Sequence, residues 1–304
     1  YFFVVSGYLL AQKLVPVHHK WNYFKKYLLK FIKLFVSWSV FYFLYDVVMT
    51  ILKSYLLGLN IKVELLNFLY SIFNISNLYY GIAVGTSYHL WFLPALIWSI
   101  IILYLFVKWE KVGILLMLSF ILHVLGLFGQ SYAAFVLFPP NTRDALFFGL
   151  FYVTLGYYFV VKIKHLTVII KPKLYLFLFF VFSLLQTVEG AILVFHYNGV
   201  WGNYYLMTVL TTLSLLLFVH TKPNLHHSFI RKVGANSVGI YVIHPLFISI
   251  AYSVLSIFNL KEVTQSLGWN IVFTPIIFLL SYYSYHLLQV IKFRLKTKKE
   301  PSLQ

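Results

Sequence analysis

The stretch YFFVVSGYLLAQKLVPVHHKWNYFKKYLLKFIK, residues 1–33, contains an apolar run followed by a strongly basic segment. As an α-helix, the apolar run at residues 1–12 would rise only about 18 Å, whereas a helix that crosses the hydrocarbon core of a bilayer must cover about 30 Å. We therefore expect Tyr1 to lie inside a membrane-spanning helix that begins upstream. The sequence also lacks an initiator Met, so we expect at least one segment to precede it.

Three lysines of the basic segment, Lys26, Lys30 and Lys33, are spaced four and then three positions apart. On a helix this spacing places them on one face. One interpretation is that these lysines only reach the lipid headgroups and set the topology of the chain. The alternative is a cationic surface that binds the phosphates of a polyanionic ligand from the cytosol.

The composition is that of an integral membrane protein. Of the 304 residues, 61% are hydrophobic, 21% aromatic and 10% charged, and the mean hydropathy is +0.85. This excess of apolar surface excludes a soluble fold and predicts an all-α, polytopic transmembrane bundle that forms a single domain over residues 1–304. A net charge of +17 would suggest nucleic acid as the partner of a soluble protein. Here the basic residues lie in short loops between apolar runs, so the expected partner is membrane lipid and not nucleic acid.

The residue types do not favour a metal centre. The chain contains no cysteine, which excludes disulfides, thiol nucleophiles and cysteine-based metal sites. Its histidines follow no metal-ligand spacing such as HExxH. We therefore expect no metal ion.

Apolar runs of near-membrane length predict nine spans. They lie at about 1–12, 34–52, 90–107, 112–129, 146–162, 174–196, 204–220, 238–256 and 269–290. A further apolar segment, VELLNFLYSIF at residues 63–73, is too short to span and is expected to lie in the membrane interface or to re-enter as a partial lid. We find no internal repeat, which weighs against a transporter.

The distribution of Lys and Arg predicts the orientation of the chain. Twenty of the 24 Lys and Arg residues lie in alternate connecting segments, at residues 13–33, 108–111, 162–173, 221–237 and 291–304. The other connecting segments hold only Lys53, Lys62, Arg143 and Lys261. The basic set, including the tail at 291–304, is therefore expected to be cytoplasmic. One further span upstream would bring the total to about ten.

Ionisable residues inside a bilayer are costly and usually functional, and few are predicted here. Asp46 and Glu189 are the only acidic residues within predicted spans. His89 lies at the outer end of its span, and Arg143 and Asp144 lie at the outer end of another. We interpret these residues as a polar outer vestibule. The alternative is a set of helix–helix hydrogen bonds that holds the bundle together.

His244 is followed directly by Pro245, about two turns into a predicted span, in the run SVGIYVIHP at residues 237–245. Proline removes a backbone donor and is expected to bend the helix, so that the imidazole points into the bundle. The alternative is a packed, hydrogen-bonded histidine. Other histidines lack such a context, and we expect structural roles for His123 and His286 and solvated positions for His18, His19, His226 and His227.

Five stretches resemble motifs of membrane acyltransferase family 3, the multi-span acyltransferases that modify bacterial surface glycans. YFFVVSGYLL resembles the family's Phe-Phe-x-x-Ser-Gly-Phe/Tyr signature, and Lys30-Phe31-Ile32-Lys33 lies where the family has Arg-x-x-Arg. HLWFLPAL is similar to its His-Leu-Trp-Phe-Leu stretch. Thr142-Arg143-Asp144, followed by LFFGLFYVTLGYYF, resembles the TRN-like start of a Gly-containing span. SVGIYVIHP resembles the Ser-x-x-Ile-Tyr-x-x-His-Pro run. The five stretches occur in the order expected for the family.

The resemblance implies an enzyme of the bacterial cell membrane. In this family an acyl group, here expected to be acetyl, passes from cytoplasmic acyl-CoA to a hydroxyl of a cell-surface or lipid-linked glycan, and glycan-biosynthesis proteins are candidate partners. The family's catalytic His lies in the first span, about three turns after an Arg or Lys. It is therefore expected upstream of Tyr1. Lysines replace the paired arginines, which removes bidentate binding of phosphate.

The resemblance and the predicted depths together assign roles to the visible residues. The cofactor-binding candidates, for coenzyme A phosphates and the thioester, are Lys30, Lys33, Lys26 and Ser6. The substrate-binding candidates are Trp91, Arg143, Glu189 and Asp46. The residues expected to support catalysis are His244, Tyr241 and His89. Two other interpretations stay open: a transporter or flippase of a glycan intermediate, and a non-catalytic membrane sensor on the same scaffold.

Overall fold

The computed structural model describes residues 1–16, 19–72, 85–136, 142–163, 171–199, 201–221 and 228–299. Within these residues the chain forms ten α-helices. They are α1 (Phe2–Leu14), α2 (Lys20–Leu56), α3 (Ile61–Ile72), α4 (Phe92–Lys108), α5 (Val112–Leu127), α6 (Leu150–Tyr158), α7 (Pro172–Tyr197), α8 (Met207–Thr221), α9 (Ser228–Ile257) and α10 (Leu267–Lys299). A 3-10 turn precedes α4 and another precedes α10, while π-helical turns flank α6; these turns are Gly85–Trp91, Lys261–Gln265, Ala145–Gly149 and Phe159–Ile163.

Each of the nine predicted spans coincides with a helix, and the protein is an all-α polytopic membrane protein, as the sequence predicts. Six helical segments of the described chain are long and apolar enough to cross a bilayer, whereas α1, α5 and α8 are apolar but shorter. Helices α2, α9 and α10 extend well beyond the apolar runs. Lysine and arginine are good helix formers, so the helix continues into the basic segments that flank the membrane.

The apolar segment that was predicted to be too short to span forms α3, which has 12 residues. Asn60 caps this helix, because its Oδ1 accepts the backbone N–H groups of Lys62 and Val63 at 3.1 and 3.3 Å. The helix is therefore a separate element with a defined start and not an extension of a neighbouring span.

Large apolar side chains are exposed along the spanning helices. On α7, four of them are more than 60% exposed: Phe177, Phe180, Leu184 and Phe195. Exposed apolar surface on this scale marks a contact with a partner or a membrane. Together with the length of α7, it indicates a helix surface that contacts lipid.

The described residues pack into two compact units. Unit 1 contains the described residues of Tyr1–Ser37 and Trp91–Asn224, and unit 2 contains those of Trp38–Ile72, Ala83–Leu90 and Leu225–Gln304. The division falls within α2 and just before Trp91. Whether the two units make up one domain, as the sequence predicts, stays a prediction.

In unit 1, helices α1 and α6 pack with their backbones in close contact at two glycines. A Cβ atom at Gly7 would overlap the carbonyl oxygen of Val153, and one at Gly156 would overlap the carbonyl oxygen of Val4. Only glycine permits such a close approach, as in the small-residue interfaces of membrane helices. Gly7 belongs to the Ser-Gly pair of the first motif and Gly156 to the Gly-containing span of the fourth.

In unit 2, helix α9 is held by α2 on one side and by α10 on another. The Tyr42 hydroxyl on α2 donates to the carbonyl oxygen of Val242 at 2.6 Å. Gly239 lies against the ring of Tyr285 on α10, where a Cβ atom would overlap the ring. These contacts fix the part of α9 that carries His244.

Candidate active site

A hydrogen-bonded cluster in unit 2 begins at Asp46 on α2. Its carboxylate accepts the backbone N–H of Thr86 at 3.1 Å and the Thr86 hydroxyl at 2.8 Å. Ser249 on α9 lies 3.4 Å from the Thr86 hydroxyl and accepts a hydrogen bond from the Tyr45 hydroxyl at 3.0 Å. Asp46 therefore fixes the 3-10 turn that precedes α4 to the wall formed by α2 and α9.

His89 lies in the same turn and is almost fully buried, with 4% of its surface exposed. Its Nδ1 is 3.0 Å from the carbonyl oxygen of Thr86. Because a carbonyl oxygen only accepts, this bond assigns the proton to Nδ1 and leaves the lone pair on Nε2. The Nε2 atom is buried and has no hydrogen-bond partner among the described residues. A buried polar atom without a partner is costly, and a neutral imidazole with a free Nε2 is what a general base requires.

His244 lies beside His89, with 5.7 Å between the ring centroids. Pro245 has no backbone N–H, so the carbonyl of Tyr241 lacks its usual helical donor. The Nδ1 of His244 lies 2.6 Å from that carbonyl oxygen and takes the donor's place, which again leaves the lone pair on Nε2. The Tyr241 hydroxyl donates to the carbonyl oxygen of His89 at 3.0 Å and ties the two segments together.

A cavity of about 410 Å³, the small cavity, opens beside this cluster. Four of the residues that line it belong to the cluster: Asp46, Thr86, His244 and Ser249. Met49, Phe68 and Ile248 supply apolar walls. Apolar walls with a few convergent polar groups are typical of small-molecule sites.

In unit 1, the structure brings Trp91 and Arg143 together. The Arg143 guanidinium carbon lies 4.8 Å from the centroid of the Trp91 ring, which is a cation–π contact. Arg143 Nη1 also donates to Asn203 Oδ1 at 3.0 Å. Phe3 packs against Trp91 with 6.2 Å between ring centroids. Residues from the first, third and fourth motifs therefore meet in this unit.

Glu189 caps a helix in unit 1. Its carboxylate accepts the Tyr132 hydroxyl at 2.6 Å and the backbone N–H groups of Leu206 and Met207 at 2.8 and 3.0 Å. Met207 is the first residue of α8, where backbone donors have no partner inside the helix. Burial and the Glu189 carboxylate raise the pKa of Tyr132, which lies outside the spanning helices, so its hydroxyl stays a neutral donor. The substrate-binding role predicted for Glu189 stays a prediction.

Lys26, Lys30 and Lys33 lie on α2 and are all exposed. At 100° per residue they fall on one face of the helix, opposite the buried Phe24 and Phe31. The cationic face expected from the spacing is therefore present. Its role in binding phosphate stays a prediction.

Ser6 is buried on α1 and lies close to the same stretch of α2. Its carbonyl oxygen accepts a hydrogen bond from the Tyr27 hydroxyl at 3.0 Å. Tyr27 lies between Lys26 and Lys30 in the sequence, so the Ser-Gly motif and the basic segment are in direct contact. Ser6 thus lies beside the helical turn that carries these lysines, and the cofactor-binding role predicted for it stays a prediction.

Sequence reasoning missed Thr86 and Ser249. Thr86 precedes His89 by three residues, which is the spacing of a 3-10 turn. This spacing could have indicated that the two residues lie close together. Ser249 is one of many serines on an apolar helix and gave no signal. His123 is buried, with Nδ1 3.1 Å from the Phe147 carbonyl oxygen, which is consistent with the structural role expected for it.

Two other expectations are only partly covered by the described residues. Within them, no group of three or more His, Asp or Glu could hold a metal ion, and the expectation of no metal stays a prediction. His18, His226 and His227 lie outside the described residues.

Comparison with known proteins identifies the family to which the chain belongs. Residues 1–286 match the family model described as an acyltransferase domain, which covers most of the chain. The chain therefore belongs to acyltransferase family 3.

One curated relative is much longer than this chain. The chain is 26% identical over 274 residues to a protein of Enterococcus faecalis named amino-acid racemase, in an alignment that covers 84% of this chain and 36% of the relative. The chain thus spans about a third of the length of that relative. No solved structure matches the chain.

Proposed function

We propose that the protein transfers an acyl group, acetyl in the first instance, from acyl-CoA to a hydroxyl of a cell-surface or lipid-linked glycan. In this proposal the protein lies in the bacterial cytoplasmic membrane with its basic C-terminal tail in the cytoplasm. The observation that carries the proposal is the buried Nε2 of His89, which has no hydrogen-bond partner within the described part of a chain that belongs to an acyltransferase family.

Transfer from a thioester needs a base for the acceptor hydroxyl and donors for the negative charge that develops on the carbonyl oxygen. The acceptor oxygen forms the new ester bond as the carbon–sulfur bond of the thioester breaks. His89 Nε2 accepts the hydroxyl proton, and this proton then neutralises the departing thiolate of coenzyme A. His244 and Tyr241 support His89 from α9. The family's own catalytic histidine, which the resemblance implies, is the other candidate for this base.

Asp46 acts on His89 through Thr86. The carboxylate holds both the backbone N–H and the hydroxyl of Thr86, and the carbonyl of Thr86 fixes the proton of His89 on Nδ1. Asp46 is therefore a positioning residue in this proposal, and it also contributes to the lining of the small cavity.

The donor phosphates are proposed to bind the cationic face of Lys26, Lys30 and Lys33. This face is exposed, and Tyr27 connects the same stretch of α2 to Ser6. Ammonium groups hold phosphate as point charges, so the loss of two of them removes much of the attraction.

The proposal is tested with membranes that contain the full-length protein and radiolabelled acetyl-CoA. We expect transfer of label to a glycan fraction. In the double variant Lys30→Ala with Lys33→Ala, the apparent KM for acetyl-CoA should rise about tenfold or more, because charge-assisted hydrogen bonds are lost. Membrane insertion should not change, since many other lysines and arginines remain.

The matched control is Lys20→Ala with Lys25→Ala, which removes the same charge from exposed positions on other faces of α2. An equal rise of KM in both double variants, or no rise in either, would show that the cationic face does not bind the donor. Absence of any acyl transfer would favour the transporter or sensor interpretation.

A further inference from the structure

A second and larger cavity, the large cavity, lies in unit 2 between the C-terminal ends of α2 and α9 and the 3-10 turn that precedes α10. Its volume is about 770 Å³. The polar part of its lining carries ammonium, hydroxyl and amide groups, from Lys53, Lys261, Ser253, Ser256, Asn259 and Thr264. No Asp or Glu is among the described residues that line it. The polar part of the lining is therefore cationic and rich in hydrogen-bond donors, while Met49, Leu52, Leu56, Leu57 and Ile257 make another part of the lining apolar.

The large cavity adjoins the small cavity. Met49, Lys53 and Ser249 line both of them. Ser249 also belongs to the hydrogen-bonded cluster, 3.4 Å from the Thr86 hydroxyl. A ligand held in the large cavity could thus extend toward His244 without leaving unit 2.

Lys53 and Lys261 lie in connecting segments in which Lys and Arg are rare. Only four Lys and Arg residues lie outside the segments expected to be cytoplasmic, and two of these four, Lys53 and Lys261, line this cavity. Membrane proteins keep Lys and Arg rare on the non-cytoplasmic side, so a pair at one cavity needs a local reason. Both ammonium groups belong to exposed residues and are accessible to a ligand from water or from the headgroup region.

We propose that the large cavity binds the phosphate of a phosphate-bearing acceptor. Lys53 and Lys261 supply the charge, and the hydroxyl and amide groups of the lining supply hydrogen bonds to the phosphate oxygens. The acceptor hydroxyl then extends into the small cavity, which His244 lines, and from there toward the neighbouring His89. This inference rests on the proposed function, because it names the class of acceptor. The phosphate belongs either to a soluble or polymeric polyol phosphate or to the headgroup of a membrane lipid.

The test is a binding measurement that needs no acyl-CoA. The full-length protein in phosphatidylcholine nanodiscs is titrated with radiolabelled glycerol 3-phosphate, and with glycerol as the neutral comparison. We expect salt-sensitive binding of glycerol 3-phosphate and none of glycerol. Lys53→Gln and Lys261→Gln should each weaken binding about tenfold, while Lys53→Arg should retain most of it.

The matched control is Lys62→Gln, which removes an exposed lysine of the same unit that lines neither cavity. It should bind like the unchanged protein. Equal binding by Lys53→Gln, Lys261→Gln and Lys62→Gln would overturn the inference. So would the absence of any binding of a phosphate probe.

A second set of nanodiscs, containing phosphatidylglycerol, separates the two sources of phosphate. Competition by phosphatidylglycerol that is lost in Lys53→Gln and Lys261→Gln would assign the site to a lipid headgroup. Binding of glycerol 3-phosphate without such competition would assign it to a polyol phosphate. Phosphate binding in a protein that shows no acyl transfer would overturn the proposed function and keep the phosphate site without its role toward an acceptor. Normal transfer with unchanged binding in the lysine variants would overturn this inference alone.

Discussion

Unit 1 and unit 2 use their polar side chains in different ways. In unit 1, Glu189 caps α8, Asp144 accepts the backbone N–H of Phe147 at 2.8 Å, and Thr142 donates to the Gly126 carbonyl at 2.6 Å. In unit 2, Asp46 also satisfies a backbone donor, but its neighbours line cavities and His89 Nε2 is left without a described partner. Unit 1 also contains a buried hydroxyl without a described partner, at Thr154, so the difference lies in the chemistry of the atom: a neutral imidazole nitrogen can accept a proton near neutral pH, whereas a hydroxyl is a poor base.

The largest effect among the tests of this comparison is expected at the contact between α1 and α6 in unit 1. In Gly156→Ala, the new Cβ overlaps the backbone of Val4, so α1 must move away from α6. We expect a loss of at least about 2 kcal/mol of stability, because a packed backbone has no flexible neighbour that can yield. The measurement is thermal unfolding in detergent together with the yield of monodisperse protein.

The matched control for this substitution is Gly113→Ala on α5. A Cβ there would meet only the side chain of Tyr158, at 3.7 Å, which is ordinary contact. Alanine is the better helix former by up to about 1 kcal/mol, so this variant should be neutral or more stable. Equal stability of the two variants would show that α1 and α6 do not pack this closely.

The second test of the contrast between the two units concerns the proposed role of His89 in unit 2 as a base. In His89→Gln, the imidazole base is lost while the side chain remains polar, so we expect kcat for acyl transfer to fall about 100-fold or more with little change in KM. Asp46→Asn should lower kcat by less, because it acts only through Thr86. Steady-state kinetics with acetyl-CoA provides both values, and circular dichroism checks that the fold is kept.

His286→Gln serves as the control, since it makes the same change at an exposed histidine of the same unit. It should leave kcat unchanged. A loss of less than about threefold in His89→Gln, well below what a lost general base produces, would assign proton acceptance to another residue.

The smallest effect is expected at Glu189. In Glu189→Gln, one backbone N–H at the start of α8 faces an amide donor in place of an oxygen, so stability should fall by about 1–2 kcal/mol. Kinetics should not change, because the carboxylate is occupied as a cap. Glu110→Gln, at an exposed acid of the same unit, provides the baseline for thermal unfolding. Unchanged unfolding together with weaker use of the acceptor would support the substrate-binding role predicted for Glu189.

The sequence predicts the helices well because a bilayer imposes one strong rule: long apolar runs must satisfy their backbone groups as helices. The cationic face of α2 follows from spacing alone for the same reason. The cluster around Asp46 was only partly predictable. His89, His244 and Asp46 are rare ionisable groups in apolar surroundings, and so they stand out. Thr86 and Ser249 are common residues whose importance comes from tertiary contacts between distant segments, and the cap made by Glu189 depends on such contacts as well.

Pro245 shows how a missing backbone atom can determine the chemistry of a side chain. With an ordinary amide at this position, the Tyr241 carbonyl would be occupied and the His244 ring would be free to turn or to exchange its proton between nitrogens. Because proline has no hydrogen to offer, the ring docks on that oxygen and its lone pair faces the other way. The dipeptide therefore works as a unit: the imino acid selects the tautomer of the imidazole that precedes it.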